Sequence, residues 1–187
     1  TAPGINPIQQ NLSRFSPQFG VVVQPSQTLS LYATYGEGFR PNNGQAFNGS
    51  TFGPETSKAY ELGAKFASAD NRITATLALF QMDKTNVLTA DPTNSGFVIA
   101  IGAARSKGFE VDIDAKLPSD FHLIVAYAYT DAYSLSTVLD PDFAKPILPG
   151  DPLINVPKNS FNTLLTKDFQ LGGDRKVMLG AGLQYID

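Results

Sequence analysis

From Phe109 to Leu117 the chain alternates apolar and charged side chains without a break: Phe109, Val111, Ile113, Ala115 and Leu117 interleave with Glu110, Asp112, Asp114 and Lys116. A helix would scatter those four charges around its circumference, whereas an extended strand sets them all on one side. After Pro118-Ser119-Asp120 the chain restarts as Phe121-His122-Leu123-Ile124-Val125-Ala126-Tyr127-Ala128-Tyr129. The two runs therefore read as a hairpin with one apolar face and one wet face. A one-residue slip would exchange the faces, and a charge turned into hydrocarbon costs up to about 2–4 kcal/mol, less for a carboxylate. The pattern fixes which residues share a face, and both protein core and lipid satisfy the apolar one.

Composition narrows the class. Charged residues make up 17% of the 187 positions, below the soluble average of about 25%, as suits half-buried sheets. A formal net charge of −3 and the absence of any basic run argue against a nucleic-acid partner, which needs cations to neutralise phosphates. With no Cys there is neither a disulfide scaffold nor a thiolate metal site. No stretch approaches the roughly 18 apolar residues of a membrane helix. The opening Thr1-Ala2-Pro3-Gly4 carries neither the basic nor the apolar part of a secretion signal, so the chain is a mature form or a piece of a longer one.

Period-two patterning and turn punctuation predict roughly eight strands and almost no helix. The strands fall near 15–24, 28–38, 57–67, 72–88, from about 97–106 to 117, from 121, and near 159–169 and 176–185. A leading loop covers about 1–14, and long loops cover about 41–54, 89–97 and 131–157. Beyond Phe80 the alternation blurs, which predicts a bulge or a change of face there. Connections run short, long, short, long in strict order, so all short turns lie at one end. A Greek-key sandwich has no reason to sort its loops in this way, whereas an outer-membrane barrel has tight periplasmic turns and long extracellular loops. Tyr32, Tyr35, Phe66, Phe121, Tyr127, Tyr129, Phe169 and Tyr185 fall toward strand ends, where interfacial girdles sit.

Gly38-Phe39-Arg40-Pro41-Asn42, followed by Pro54-Glu55-Thr56-Ser57-Lys58-Ala59-Tyr60-Glu61-Leu62-Gly63-Ala64-Lys65, resembles the barrel of TonB-dependent siderophore receptors. Leu79 to Val87, Arg105 to Asp112, Asn155 to Asn159 and Gly180 to Tyr185 resemble successive strands of that family in the same order. The resemblance implies an all-β, antiparallel up-and-down meander that forms part of a large transmembrane β-barrel of about 22 strands. It identifies the chain as an internal segment of the barrel's second half, 1–187 being partial barrel, with the plug, the energy-coupling segment and the closing strands outside it. The implied setting is the outer membrane of a Gram-negative bacterium. The implied function is import of a ferric siderophore or similar nutrient, with outer-membrane lipid, the chelate and an inner-membrane energy-coupling protein as partners. Neither catalysis nor a resident cofactor is implied, the iron being cargo inside its chelator.

Within that reading Glu61, Lys65, Glu110, Asp112, Asp114 and Lys116 line the lumen, and Arg105 and Lys107 also face the interior. Arg40, Phe47, Phe52, Phe97, Tyr133 and Phe143 lie in or beside the long loops, and cations with aromatics suit an anionic, ring-bearing chelate. Two other readings compete. One is a soluble all-β binding or structural module whose apolar faces pack on each other. The other is a small outer-membrane barrel enzyme that uses His122, the only histidine, with Asp120 as its orienter. The acidic ladder is a poor metal site, because residues two apart on a strand stand about 6.6 Å apart.

Overall fold

The computed structural model describes residues 12–91, 93–139, 146–153 and 155–187. Strands β1 (Gln18–Ser26), β2 (Leu29–Arg40), β3 (Glu55–Ala67), β4 (Ile73–Ala90), β5 (Val98–Leu117) and β6 (Phe121–Ser134) follow one another. After them come a short pair, β7 (Val138–Leu139) and β8 (Pro146–Ile147), then β9 (Asn159–Gln170) and β10 (Lys176–Ile186). Eight strands form one sheet in the order β1-β2-β3-β4-β5-β6-β9-β10, and β7 pairs only with β8. Every pairing in the sheet is antiparallel, so the predicted meander is the observed one. β7 and β8 ornament the long connection between β6 and β9, which begins only after Ser134.

The irregularity expected beyond Phe80 is a register shift in β4 between Thr85 and Leu88. Asn86, at φ 56°, supplies the left-handed backbone that such an irregularity favours. Phe80 keeps its parity. Its ring lies against Gly108 on the next strand, where an added Cβ would come within 3.0 Å of Phe80 Cζ. Phe80 is thus an aromatic on the polar face, accommodated by a glycine.

Register sorts the side chains into two faces, since residues i and i+2 share one. One row runs Leu31, Ala64, Leu77, Val111, Tyr127, Phe161, Tyr185 across seven strands. The row displaced by one residue runs Tyr32, Gly63, Ala78, Glu110, Ala128, Ser160 on the opposite face. Among the described residues nothing covers the apolar face: Leu62 is 57% exposed, Leu79 51% and Leu183 61%. The buried hydrophobics among the described residues are Ala78, Ala115 and Ala132 alone. A soluble sandwich needs a second layer over this face, and the described residues supply none.

Short turns close one end, at residues 27–28, 68–72, 118–120 and 171–175. In the second of these the Ser68 hydroxyl donates to Asp70 Oδ1 at 2.6 Å. Ser68 Oγ in turn accepts the backbone N–H groups of Arg72 and Ile73 at 3.1 and 3.0 Å, and Arg72 N–H also donates to Asp70 Oδ1 at 3.2 Å. The bonds that reach the carboxylate hold Asp70 below the ordinary range, the Ser68 hydroxyl contributing most and the Arg72 backbone N–H next. The long loops gather at the other end, as the ordering of connections predicts.

Candidate functional site

The polar face is a wall built from β2 to β6. Tyr32 lies over Gly63, its registered partner, and its hydroxyl donates to Glu61 Oε1 at 2.6 Å. Lys65 Nζ stands 5.3 Å from the centre of the same ring. Tyr32 is therefore part of the polar wall and not of an aromatic girdle on the apolar face. Thr34, Ala59, Glu61, Ala78, Phe80 and Glu110 line a shallow groove here, where small residues leave room for another surface to approach.

Glu61, Lys65, Glu110, Asp112, Asp114 and Lys116 all share this face. His122 belongs to it as well, and its Nε2 lies 3.0 Å from Asp114 Oδ1. The partner of the histidine is thus Asp114 across the strand pair, not Asp120 in the turn. Among the described residues the imidazole makes this one side-chain bond. Lys116 and Thr166 are its direct cross-strand neighbours.

At the long-loop end the wall meets a polar node. Glu55 is only 7% exposed. It accepts Arg40 Nη2 at 3.0 Å on one oxygen and faces Lys84 Nζ at 3.3 Å on the other. Buried Asn42 donates through Nδ2 to Gly53 O at 2.8 Å and to Asn86 O at 2.9 Å, and Asn86 donates to Pro54 O at 3.1 Å. Loop 41–54 is thereby tied at both ends to the irregular stretch of β4. Val98 N–H donates to Gln45 O at 3.1 Å, and Phe47 meets Phe97 edge to face at 5.2 Å between ring centres. Two loops that are far apart in sequence form one rim.

Asp91 shapes the second loop of that rim. Its carboxylate accepts Asn94 Nδ2 at 3.0 Å and the backbone and hydroxyl of Thr93, each at 2.8 Å. These bonds, the Asn94 side chain foremost, push its pKa down to about 2. Loop 41–54 itself contains no charged residue, so the rim offers aromatic edges and amides while Arg40 is committed to Glu55.

Of the loop candidates, Phe47 and Phe97 are brought together and Arg40 stands beneath them at the node. Phe52 lies half-buried in the same loop. Tyr133 is separated from them: it pairs with Arg105 on the opposite face, with Lys107 Nζ 5.4 Å from its ring centre. Phe143 lies outside the described residues. Arg105 and Lys107 are also corrected, because their odd positions turn them to the face of Leu79 and Phe109. Arg105 Nε and Nη2 hold Asp83 at 2.6 and 2.7 Å, and Lys107 lies 3.8 Å from Asp131.

The Arg105–Asp83 pair belongs to a row that no single strand displays: Glu37, Lys58, Asp83, Arg105 and Tyr133 are successive cross-strand partners. It stands beyond a belt in which Tyr35 lies 5.0 Å from Tyr60 and Phe109 lies 5.9 Å from Tyr129. The signal was present as charges at constant offset from the tyrosines, legible only once the register is known. The apolar face is thus a band, edged by aromatics and followed by charge at the long-loop end.

The sequence model of the family described as "TonB dependent receptor-like, beta-barrel" matches residues 1–187. The metal-pseudopaline receptor CntO of Pseudomonas aeruginosa is 36% identical over 178 residues, which is 95% of this chain and 24% of that protein. The ferrichrome outer membrane transporter/phage receptor of Escherichia coli K12 is 32% identical over 158 residues, 84% of this chain and 20% of the relative. Among solved structures, the ferripyoverdine receptor of the outer membrane of Pseudomonas aeruginosa superposes with a TM-score of 0.73 at 24% identity, over 97% of this chain and 24% of that one. The chain spans about a quarter of the length of these relatives.

Proposed function

Because the chain belongs to the TonB-dependent receptor-like β-barrel family, we propose that it supplies one panel of wall and two rim loops to an outer-membrane receptor that imports a ferric siderophore or similar scarce nutrient. The observation that carries the reading is the uncovered apolar face, bounded by tyrosines and then by charge. A band of this kind matches the roughly 25 Å hydrocarbon belt of an outer-membrane barrel, with short turns on the periplasmic side. The polar wall then faces the lumen, where Glu61, Lys65, Glu110, Asp112, Asp114 and Lys116 meet water and a plug. Loop capture at the Phe47–Phe97 edge, followed by energy-driven rearrangement of the plug, moves cargo past this wall. The work is binding and passage, with no bond made or broken in the cargo by these residues.

Labelling of introduced cysteines, compared with the receptor lacking them, tests the reading directly, since these 187 residues contain no native thiol. Single cysteines at Leu77 and Thr76, adjacent in sequence and on opposite faces, are placed in the full-length receptor in whole cells. A polar, membrane-impermeant thiol reagent applied after plug displacement labels position 76 and spares position 77, while uptake of radioactive ferric chelate requires the intact energy-coupling system. Equal labelling of both positions overturns the barrel reading. Uptake that persists without energy coupling overturns the transport reading.

A further inference from the structure

On β2 to β6, β9 and β10, every apolar-face residue between the tyrosine belt and the short turns is apolar except Thr163 and Lys167. Thr163 satisfies itself by donating to Ile124 O at 3.1 Å. Lys167 has no such partner. No carboxylate among the described residues lies within 4.0 Å of its amine. Asp168, its neighbour in sequence, points to the other face and pairs with Lys176 at 2.6 Å. What surrounds the Lys167 amine is aromatic: Nζ stands 4.4 Å from the Phe121 ring centre and 5.2 Å from that of Phe169. Its registered neighbour on β10 is Leu179, 61% exposed.

A lysine in hydrocarbon is costly at mid-bilayer and nearly free at the interface, so it is tolerated where its stem lies on apolar surface and its amine reaches headgroups. Lys167 sits beside the 118–120 and 171–175 turns, at the short-turn end of the band. Two aromatic faces hold the cation without neutralising it. The charge therefore stays open to an anion, and at that depth of a bilayer the anion at hand is a lipid phosphate.

We infer that Lys167, held between Phe121 and Phe169, is a binding site for the phosphate of an anionic glycerophospholipid in the periplasmic leaflet. The inference rests on the membrane reading above. Electrostatic attraction of one lysine near an anionic surface corresponds to about fivefold in occupancy. A zwitterionic headgroup gains less, because its own ammonium competes for the phosphate.

The test is native mass spectrometry of the detergent-purified full-length receptor with added phosphatidylglycerol or phosphatidylcholine of identical acyl chains. The wild-type receptor is expected to retain one more phosphatidylglycerol than K167Q, at about fivefold higher occupancy. K167R restores it, and phosphatidylcholine does not discriminate between the variants. Equal phosphatidylglycerol occupancy in wild type and K167Q overturns the site. So does loss of preference for phosphatidylglycerol over phosphatidylcholine in the wild-type protein, which keeps the test decisive if K167Q folds poorly. A full-length protein that stays monodisperse without detergent instead overturns the membrane reading itself, an outcome distinguishable from failure of the lysine site.

Discussion

Tyr32 and Gly63 are registered partners on β2 and β3, and the phenol ring occupies the space that any side chain at residue 63 would need. A Cβ there meets the ring itself, so Gly63→Val forces Tyr32 out of its place over the strand and away from Glu61. The expected cost is about 1–3 kcal/mol, the range for overpacking. Urea unfolding of the full-length receptor in detergent checks it, and Tyr32→Phe, which keeps the ring, loses only the hydroxyl bond and stays within about 1 kcal/mol of wild type.

The two faces predict opposite tolerance for charge. Leu77→Arg, near the middle of the apolar band, lowers stability in bilayers by about 2–4 kcal/mol, whereas Thr76→Arg, one residue away on the wet face, changes it by less than about 1 kcal/mol. Refolding titrations of both variants into lipid vesicles measure the difference. Equal sensitivity at the two positions would sink the assignment of faces.

Asn42 serves two carbonyls at once. Asn42→Ala leaves Gly53 O and Asn86 O without that donor in a buried place, at a cost of about 1–3 kcal/mol. Loop 41–54 comes loose from β4, and limited proteolysis of the full-length receptor cuts there faster in the variant while the short turns keep their wild-type rate.

Asp91 gives the rim a defined acid limit. Its folded pKa, about 2, lies below the ordinary value of 3.8, so its contribution is fully present above about pH 4 and is lost as pH falls through about 2. The hydrogen-exchange protection of the Thr93 and Asn94 amides, taken relative to the intrinsic rate at each pH, should hold from pH 7 down to pH 4 and fall toward pH 2. Asp91→Asn should remove that acid step.

Much of the architecture was legible in the chain, because a strand with one wet face writes its face assignment directly as alternation. The ladder from Glu110 to Lys116 emerged on one face as read, and the order of connections placed every short turn at one end. Legibility failed where the identity of a face depended on a neighbour. Tyr32 was placed in a girdle because it is an aromatic near a strand end, although alternation in β2 sets it opposite Leu31 and Ala33; that Gly63 makes room for its ring is written only in the register. Arg105 and Lys107 were assigned to the interior because charge was equated with the wet face, although both lie beyond the tyrosine belt, where the other face is wet too. Arg40 was legible as a loop-base cation, but its commitment to Glu55 brings together residues fifteen apart at the two ends of a loop.

The sequence by itself determined the strands, their amphipathic sides and the sorting of long from short connections, since each is written within a window of a few residues where period and turn chemistry act locally. Only the tertiary structure decided which residues share a row. Cross-strand register fixed the Glu37–Lys58–Asp83–Arg105 line, the His122–Asp114 pair and the isolation of Lys167 among aromatics, and loop packing joined Phe47 to Phe97. Such neighbours are set by hydrogen-bond pairing between segments tens of residues apart, and a single strand carries no record of what its partner will place beside it.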